Sequence, residues 1–445
     1  MDARSSNTQT TPTQPSEGGL LRALKHRNYQ LFFVGQLISL IGTWMQTVAQ
    51  SWLIYRLTGS TILLGLVGFA SQFPVFLFAP LGGAVADRYP RHRLLVLTQS
   101  LAMILALILA LLTLSGAIKV AEIFVLATLL GIVNAFDIPT RQSFIVEIVG
   151  RDDLSNAIAL NSSMFNGARI IGPAIAGIMV AAVGEGWCFL INSLSFIAVI
   201  TGLLMMRLTH PPAPPRTGSM LSHIREGLDF VRGHAAIRNL LILLGIVSIT
   251  GMPYVVLMPI FADRILHGGA SGLGLLMSAS GVGALLGALT LAARRNVHGL
   301  SRWAPIAALG FGISLILFSS SRHFWLSAAL LIPAGFSMMV QMATSNTLLQ
   351  MMTPDEYRGR VMSLYSMMFM GMAPIGAMLA GTLAGHIGAP LTVALGGALS
   401  ILAGVWFGRR LRGLSFAAPE IIVAQPVAAG VPTQDTTDES LARDD

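Results

Sequence analysis

Charge is what this chain has least of. Of its 445 residues only 11% are Asp, Glu, Lys or Arg, while 54% are hydrophobic. A water-soluble domain carries about 25% charged residues. A soluble fold of this length is therefore excluded, because so few charges could not cover its surface. Lysine is nearly absent: Lys25 and Lys119 are the only two, and neither follows a glycine. No phosphate-cradling Gly-Lys-Ser/Thr loop exists, which excludes an ATP-driven pump of that type. There is no Gly-x-Ser-x-Gly elbow and no His-Glu-x-x-His pair, and the nine histidines form no ligand cluster. Neither an enzyme nor a metal or cofactor site is expected. Cys188 is the single cysteine, so an intramolecular disulfide is excluded. Alternating ten-residue strands are missing, which excludes a membrane barrel. The net charge of +8 does not point to nucleic acid, because the basic residues sit between apolar blocks, where they set membrane topology.

What is present is long apolar blocks, and about 20 apolar residues suffice for one spanning helix. Charge clusters and Pro/Gly turns divide the chain into twelve, at 28–56, 61–86, 93–115, 120–142, 155–183, 187–207, 238–262, 271–294, 302–320, 323–350, 357–385 and 389–409. The first is too long for a signal peptide and lacks a small-residue cleavage site. The expected fold class is all-α integral membrane, with twelve transmembrane helices in two six-helix bundles related by pseudo-two-fold symmetry. With the N-terminus inside, the outer connections hold only Arg56, Lys119, Arg264 and Arg322 of the 28 basic residues. That asymmetry puts both termini in the cytoplasm. Residues 1–25 and 413–445 read as disordered tails, 26–207 and 238–412 as the two bundles, and 208–237 as a cytoplasmic linker. The linker opens on Pro211, Pro212, Pro214 and Pro215 and continues as an interfacial helix around Ser222–Arg232.

The halves repeat. Gly131, Gly167, Gly172, Gly177 and Gly184 recur 204 residues later as Gly335, Gly371, Gly376, Gly381 and Gly388. Arg151-Asp152-Asp153 and Pro354-Asp355-Glu356 fall near the same offset, and Arg27-Asn28 matches Arg238-Asn239. Two parallel six-helix repeats are the pattern of one large transporter class, with substrate near the midplane.

Few polar residues remain inside the blocks, and they nominate the mechanism. Asp137 and Arg169 are intramembrane charges, which are costly and face a cavity or a partner. Asp137 is a candidate for proton coupling, since desolvation can raise a buried carboxyl's pKa. Alternatively it forms a structural ion pair, with Arg141 one turn away, with the loop of Asp87 or with Arg169. The first block carries Gln36, Ser39, Thr43, Gln46 and Gln50 on one helical face, expected to line a cavity or to bond neighbouring helices. Ser162, Asn166, Arg169 and Pro173 form a second stripe. Gln341, Ser345, Asn346 and Ser366 are the candidates in the second half. Eleven methionines between Met338 and Met378 suit either a surface that accepts many ligands or a lipid-facing filler.

Two motifs sharpen this picture. The connection after the second block reads Gly83-Ala-Val-Ala-Asp87-Arg88-Tyr89-Pro90-Arg91-His92-Arg93. It resembles the Gly-x-x-x-Asp-Arg-x-Gly-Arg-Arg signature of the major facilitator superfamily, with Pro90 in place of glycine and His92 in place of a basic residue. Gly83 is expected to admit a close helix. Asp87, Arg88, Arg91 and Arg93 are expected to form a conformational latch, or simply a positive-inside anchor. The equivalent loop, Arg294-Arg295-Asn296, has no aspartate. The fifth block carries Gly167, Gly172, Pro173 and Gly177, which looks like the glycine-proline motif of exporters in that superfamily. It reads as a hinge or as ordinary small-residue packing.

Asp137-Ile-Pro139-Thr-Arg141-Gln142 and Pro354-Asp-Glu356-Tyr-Arg358-Gly359-Arg360-Val361 look like one branch of the superfamily, which includes macrolide-efflux-like and enterobactin-exporter-like proteins. The resemblance implies proton-coupled efflux of a small, drug-like organic molecule across a bacterial inner membrane by alternating access, with a monomer as the working unit. The alternatives are a dedicated siderophore or metabolite exporter and, in another class, a non-transporting scaffold or sensor.

Overall fold

The computed structural model describes residues 22–150, 153–206, 220–294 and 299–414. Among these there is no strand. The helices are α1 (Arg27–Thr58), α2 (Thr61–Arg88), α3 (Arg91–Leu114), α4 (Val120–Val149), α5 (Leu154–Val183), α6 (Glu185–Leu204), α7 (Met220–Gly233), α8 (Ala235–Ile265), α9 (Gly269–Ala292), α10 (Leu300–Ser320), α11 (Phe324–Met352), α12 (Glu356–Ile387) and α13 (Ala389–Leu414). All but α7 are long and apolar enough to cross a membrane, which gives twelve spans. The chain is a multi-pass membrane protein.

Local chemistry sets the boundaries. Gly59 ends α1 in the left-handed region at φ 61°, and the Ser60 side chain then caps α2 by accepting from the Leu63 amide. The Glu122 side chain accepts from the Lys119 amide at 2.9 Å and opens α4. Two spans are irregular. Helix α8 breaks at Gly251–Pro253 and closes on a π-turn at Phe261–Ile265, and α12 contains a π-turn at Met367–Gly371. Proline at 253 removes one backbone donor, and π-turns in a helix gather at functional sites.

Four of the five repeated glycine pairs do equivalent work in each half, Gly167 and Gly371 being the exception. Gly131 lets α4 meet α2 at the Ser71 carbonyl, and Gly335 lets α11 meet α9 at the Ser280 carbonyl. Gly172 admits Ile41 and Trp44 of α1, and Gly376 admits Ile249 of α8. Gly184 and Gly388 both end their helices at positive φ, 92° and 85°. Equivalent contacts in both halves define two six-helix bundles related by a pseudo-two-fold axis.

The connection between the bundles contains α7 as an amphipathic helix. Phe230 stacks on Tyr357 at 4.4 Å, and Arg360 donates to Glu226 at 2.7 Å, which docks α7 on the start of α12. One tail expectation is corrected. Arg22–Lys25 is not disordered: it forms a short 3-10 turn with Ala23 fully buried, whose amide donates to Asn156. Arg22 and His26 both bind Asp153, at 2.7 and 2.8 Å. Residues 1–21, the proline run at 211–215, Arg151, Asp152, Arg295, Asn296 and the tail from 415 lie outside the described residues.

Candidate transport site

The face that carries α7 and the start of α1 is called the near face below, and its opposite the far face. The bundles meet along α5 against α9 and α2 against α12. Near the far face the crossings are backbone to backbone. A Cβ on Gly177 would stand 2.9 Å from the Gly274 Cα, and a Cβ on Gly65 would stand 3.0 Å from the Gly381 Cα. Polar contacts reinforce these crossings. The Tyr55 hydroxyl donates to Asp263 at 2.6 Å, Arg264 donates to the Gly59 carbonyl at 3.4 Å, and the Arg264 guanidinium lies 5.6 Å from the Tyr55 ring centre. Deeper in, Ser278 donates to the Ile170 carbonyl at 2.8 Å. Tyr55 and Asp263 were not among the residues singled out from sequence. Each looked like an ordinary helix-end residue, and only the 208-residue contact pairs them.

Arg169 sits at the middle of α5. About 15 residues separate it from either end of the helix, roughly 22 Å at 1.5 Å per residue. Its guanidinium lies 5.9 Å from the Trp44 ring of α1, and Tyr254, just after the break in α8, is an electrostatic neighbour. Tyr254 in turn shares a hydrogen bond of 2.7 Å with Ser280 of α9. Trp44 also meets Phe165 edge to face at 5.7 Å. Arg169 is thus bordered by both bundles, and no carboxylate reaches it among the described residues.

Asp137 pairs with Arg141, as the one-turn spacing predicts, and not with Arg169 or the Asp87 loop. Its side chain turns to α3 inside the first bundle and is buried. One oxygen accepts from Thr98 and Gln99 at 2.8 and 2.7 Å, and the other pairs with Arg141 at 2.6 Å. Both oxygens are hydrogen-bonded, as a buried carboxylate requires.

The loop between α2 and α3 centres on Arg91. It lies 3.6 Å from Asp87 and 3.4 Å from Glu147, tying the loop to the end of α4. His92 bonds the Leu203 carbonyl at 2.7 Å, so it anchors the turn to α6. Arg88 and Arg93 are exposed. The expected close approach at Gly83 does not occur, since a Cβ there would meet nothing within 4 Å. Gly82 makes it instead, against Ala135 and Phe136 of α4. One residue along a helix turns the contact by about 100°.

The fifth-span glycines also separate. Gly167 faces open space, Gly172 receives Trp44 and Gly177 receives Gly274, while the Pro173 carbonyl borders Gly274. Three different surroundings serve one motif. Gly371, the repeat partner of Gly167, is filled by the Phe76 ring.

The α1 stripe divides. Gln36, Ser39 and Gln46 are buried, and Gln46 accepts from Asn192 of α6 at 2.6 Å, so this part bonds a neighbouring helix. Thr43 is exposed with its hydroxyl returned to the Ser39 carbonyl, and Gln50 is half-buried. Asn166 is buried and donates to the Ser162 carbonyl. Gln341 and Ser345, expected to line a cavity, are buried instead. Gln341 Nε2, Thr344 Oγ1 and Ser345 Oγ lack hydrogen-bond partners among the described residues. Among the methionines, Met338 is buried, Met342, Met352, Met362, Met367 and Met368 are partly buried against the core, and Met351 and Met370 are exposed. No group of three or more metal-ligating side chains occurs among the described residues.

Two mirrored bundles meeting over an interior of isolated polar groups define a helical transporter fold. Comparison with known proteins narrows this class. A family model described as transmembrane secretion effector matches residues 19–428. The chain belongs to this family of the major facilitator superfamily. It is 28% identical over 353 residues to the staphyloferrin A transporter of Staphylococcus aureus, covering 78% of this chain and 87% of that one. It is 28% identical over 389 residues to the multidrug efflux pump Tap of Mycolicibacterium fortuitum, covering 85% and 94%. With the enterobactin exporter EntS of Shigella boydii it shares 25% over 358 residues, covering 80% and 85%. In fold it matches the nucleoside transporter NupG with a TM-score of 0.68 at 14% identity, covering 86% of this chain and 98% of NupG. A POT family transporter bound to a conjugated peptide matches with a TM-score of 0.71 at 13% identity, covering 89% and 96%.

Proposed function

We propose that this protein is a proton-coupled efflux antiporter that exports a small organic molecule across a bacterial cytoplasmic membrane by alternating access, as a monomer. The observation that carries this reading is the pair of mirrored glycine crossings, Gly177 with Gly274 and Gly65 with Gly381. They close the far ends of two rigid bundles against each other, and rocking about such a closure is how two-repeat transporters alternate. The near face is cytoplasmic, as the Lys/Arg asymmetry requires. Substrate enters from the cytoplasm between the bundles, where α1, α5 and α8 bring Thr43, Arg169 and Tyr254.

Two of the named relatives, the multidrug efflux pump Tap and the enterobactin exporter EntS, carry compounds outward by their names, which supports the outward direction. The staphyloferrin A transporter and the enterobactin exporter favour a dedicated siderophore exporter as the second reading. Asp137 is the carboxylate assigned to proton exchange. Protonation would weaken its pairing with Arg141 and loosen α3 from α4. Arg91, bridging Asp87 and Glu147, is the latch that reports this on the near face.

The test is transport of a substrate panel into inverted membrane vesicles, with and without an imposed proton gradient. Uptake that collapses with the gradient is the expected result. Flux of unrelated drugs supports the multidrug reading, and flux confined to iron-chelating compounds supports the dedicated one. Gradient-independent flux removes proton coupling, and absence of any flux returns the scaffold or sensor.

A further inference from the structure

The charges inside the spans do not balance locally. Asp137 is taken by Arg141, Thr98 and Gln99. Near the far face Glu185 is taken by Arg56 at 2.7 Å, and Asp263 by Tyr55 at 2.6 Å. Arg169 alone, at mid-depth, has no anion among the described residues. Its neighbours are the face of the Trp44 ring and the Tyr254 side chain, and neither neutralises the charge. A guanidinium cannot shed its charge by deprotonating, so it needs water or an anion beside it.

Its surroundings fit a visiting ligand better than a permanent partner. Arg169 is partly exposed, and the next turn of α5 towards the near face ends in Phe165, also exposed. The groups around it come from α1 and α5 of one bundle and from α8 and α9 of the other, so their spacing changes whenever the bundles rock. The break at Gly251–Pro253 lies directly before Tyr254. At the far face an open cleft of about 480 Å³ is lined by Arg264, His267 and Arg322 with Thr61 and apolar residues, and no carboxylate contributes to its lining.

We propose that the substrate is an organic anion, an aromatic or amphiphilic molecule whose carboxylate or comparable oxyanion is held by Arg169 while its apolar body rests against Trp44 and Phe165. This rests on the transport reading above and names its substrate class. Guanidinium meets a carboxylate in a two-pronged hydrogen bond, strengthened where water is excluded. A cationic drug would be repelled by Arg169 where an anion is attracted.

Three probes on one scaffold separate the sources of affinity: 1-naphthoate, neutral 1-naphthamide and cationic 1-naphthylmethylammonium. The full chain in lipid nanodiscs supplies its own unfolding reporter, because the buried Cys188 reacts with a thiol dye only when the fold opens. Naphthoate is expected to protect Cys188 at concentrations about tenfold lower than naphthamide, the ratio one charge-assisted contact typically supplies. Naphthylmethylammonium is expected to give no protection. Arg169→Gln should remove the preference for the acid, and Arg169→Lys should retain part of it. Equal protection by acid and amide, stronger protection by the cation, no protection by any probe, or an unchanged acid preference in Arg169→Gln would overturn the proposal. If Arg169→Gln does not fold, the acid-to-amide ratio of the unmutated protein decides alone. Flux of the probes in proteoliposomes is read separately: acid-selective binding without flux removes the transport reading and leaves the anion site standing.

Discussion

Gly177 and Gly274 stand backbone to backbone where α5 crosses α9, with only 2.9 Å between the Gly274 Cα and the place a Cβ on Gly177 would occupy. Gly65 and Gly381 repeat the arrangement where α2 crosses α12. The two crossings hold the far face closed, so bulk at either one should open it. Gly177→Val is expected to cost the closed state about 1–3 kcal/mol, the usual range for overpacking. That is roughly a 5- to 150-fold shift towards the state open on the far face. Spin-label distances between α2 and α12 at that face check it, and an unchanged distance distribution counts against the crossing as the closure.

Tyr55→Phe removes the donor to Asp263 and leaves a carboxylate without that bond across the bundle interface. A loss of about 1–3 kcal/mol from the far-face closure is expected. The same distances should broaden while total helix content stays constant. Loss of helix content instead would mean that the pair supports the fold rather than the gate.

Asp137→Asn keeps the shape and loses the charge that Arg141 pairs with. Gradient-driven transport should be abolished while substrate exchange without a gradient persists and expression is spared. If gradient-driven uptake survives, Asp137 pairs with Arg141 within α4, ties that helix to Thr98 and Gln99 of α3, and does nothing more.

Arg91→Gln releases Asp87 and Glu147 together. Because these groups are partly exposed, the stability cost should stay near ~0.5–1 kcal/mol. Transport should fall much further than stability, since a latch acts on the rate of switching. Matching losses in thermal midpoint and rate would make the loop an anchor.

Orientation is testable with single cysteines in a Cys188→Ser background. Gly116→Cys, between α3 and α4, should react with an impermeant maleimide in intact cells, and Gly233→Cys at the end of α7 should not. The reverse pattern inverts the assigned topology.

The spans were readable because burying backbone in lipid demands uninterrupted apolar helices, so eleven of the twelve blocks recur within three residues of their expected limits, while the fourth runs on from 142 to Val149. The repeat was readable because most of its glycines sit at close helix crossings or at positive φ, where a side chain is costly, and both copies carry them. The irregular turns in α8 and α12 were not, since a π-turn depends on what packs against it. Gly82 rather than Gly83 is the contact glycine because neighbouring positions differ only in the direction they face. Gln46, Gln341 and Ser345 show the same limit: polarity on a helix says that a partner is needed, not whether it is a helix or a cavity.

Sequence alone therefore determined the membrane class, the twelve spans, the duplication and the short roster of interior charges, because each follows from local composition against a lipid solvent. Tertiary structure decided how those charges are spent. Helix rotation and crossing set whether a side chain meets a partner, and those depend on contacts between residues as far apart as Tyr55 and Asp263. Asp137 was given Arg141, Thr98 and Gln99, and Arg169 was left facing both bundles with its charge unmatched.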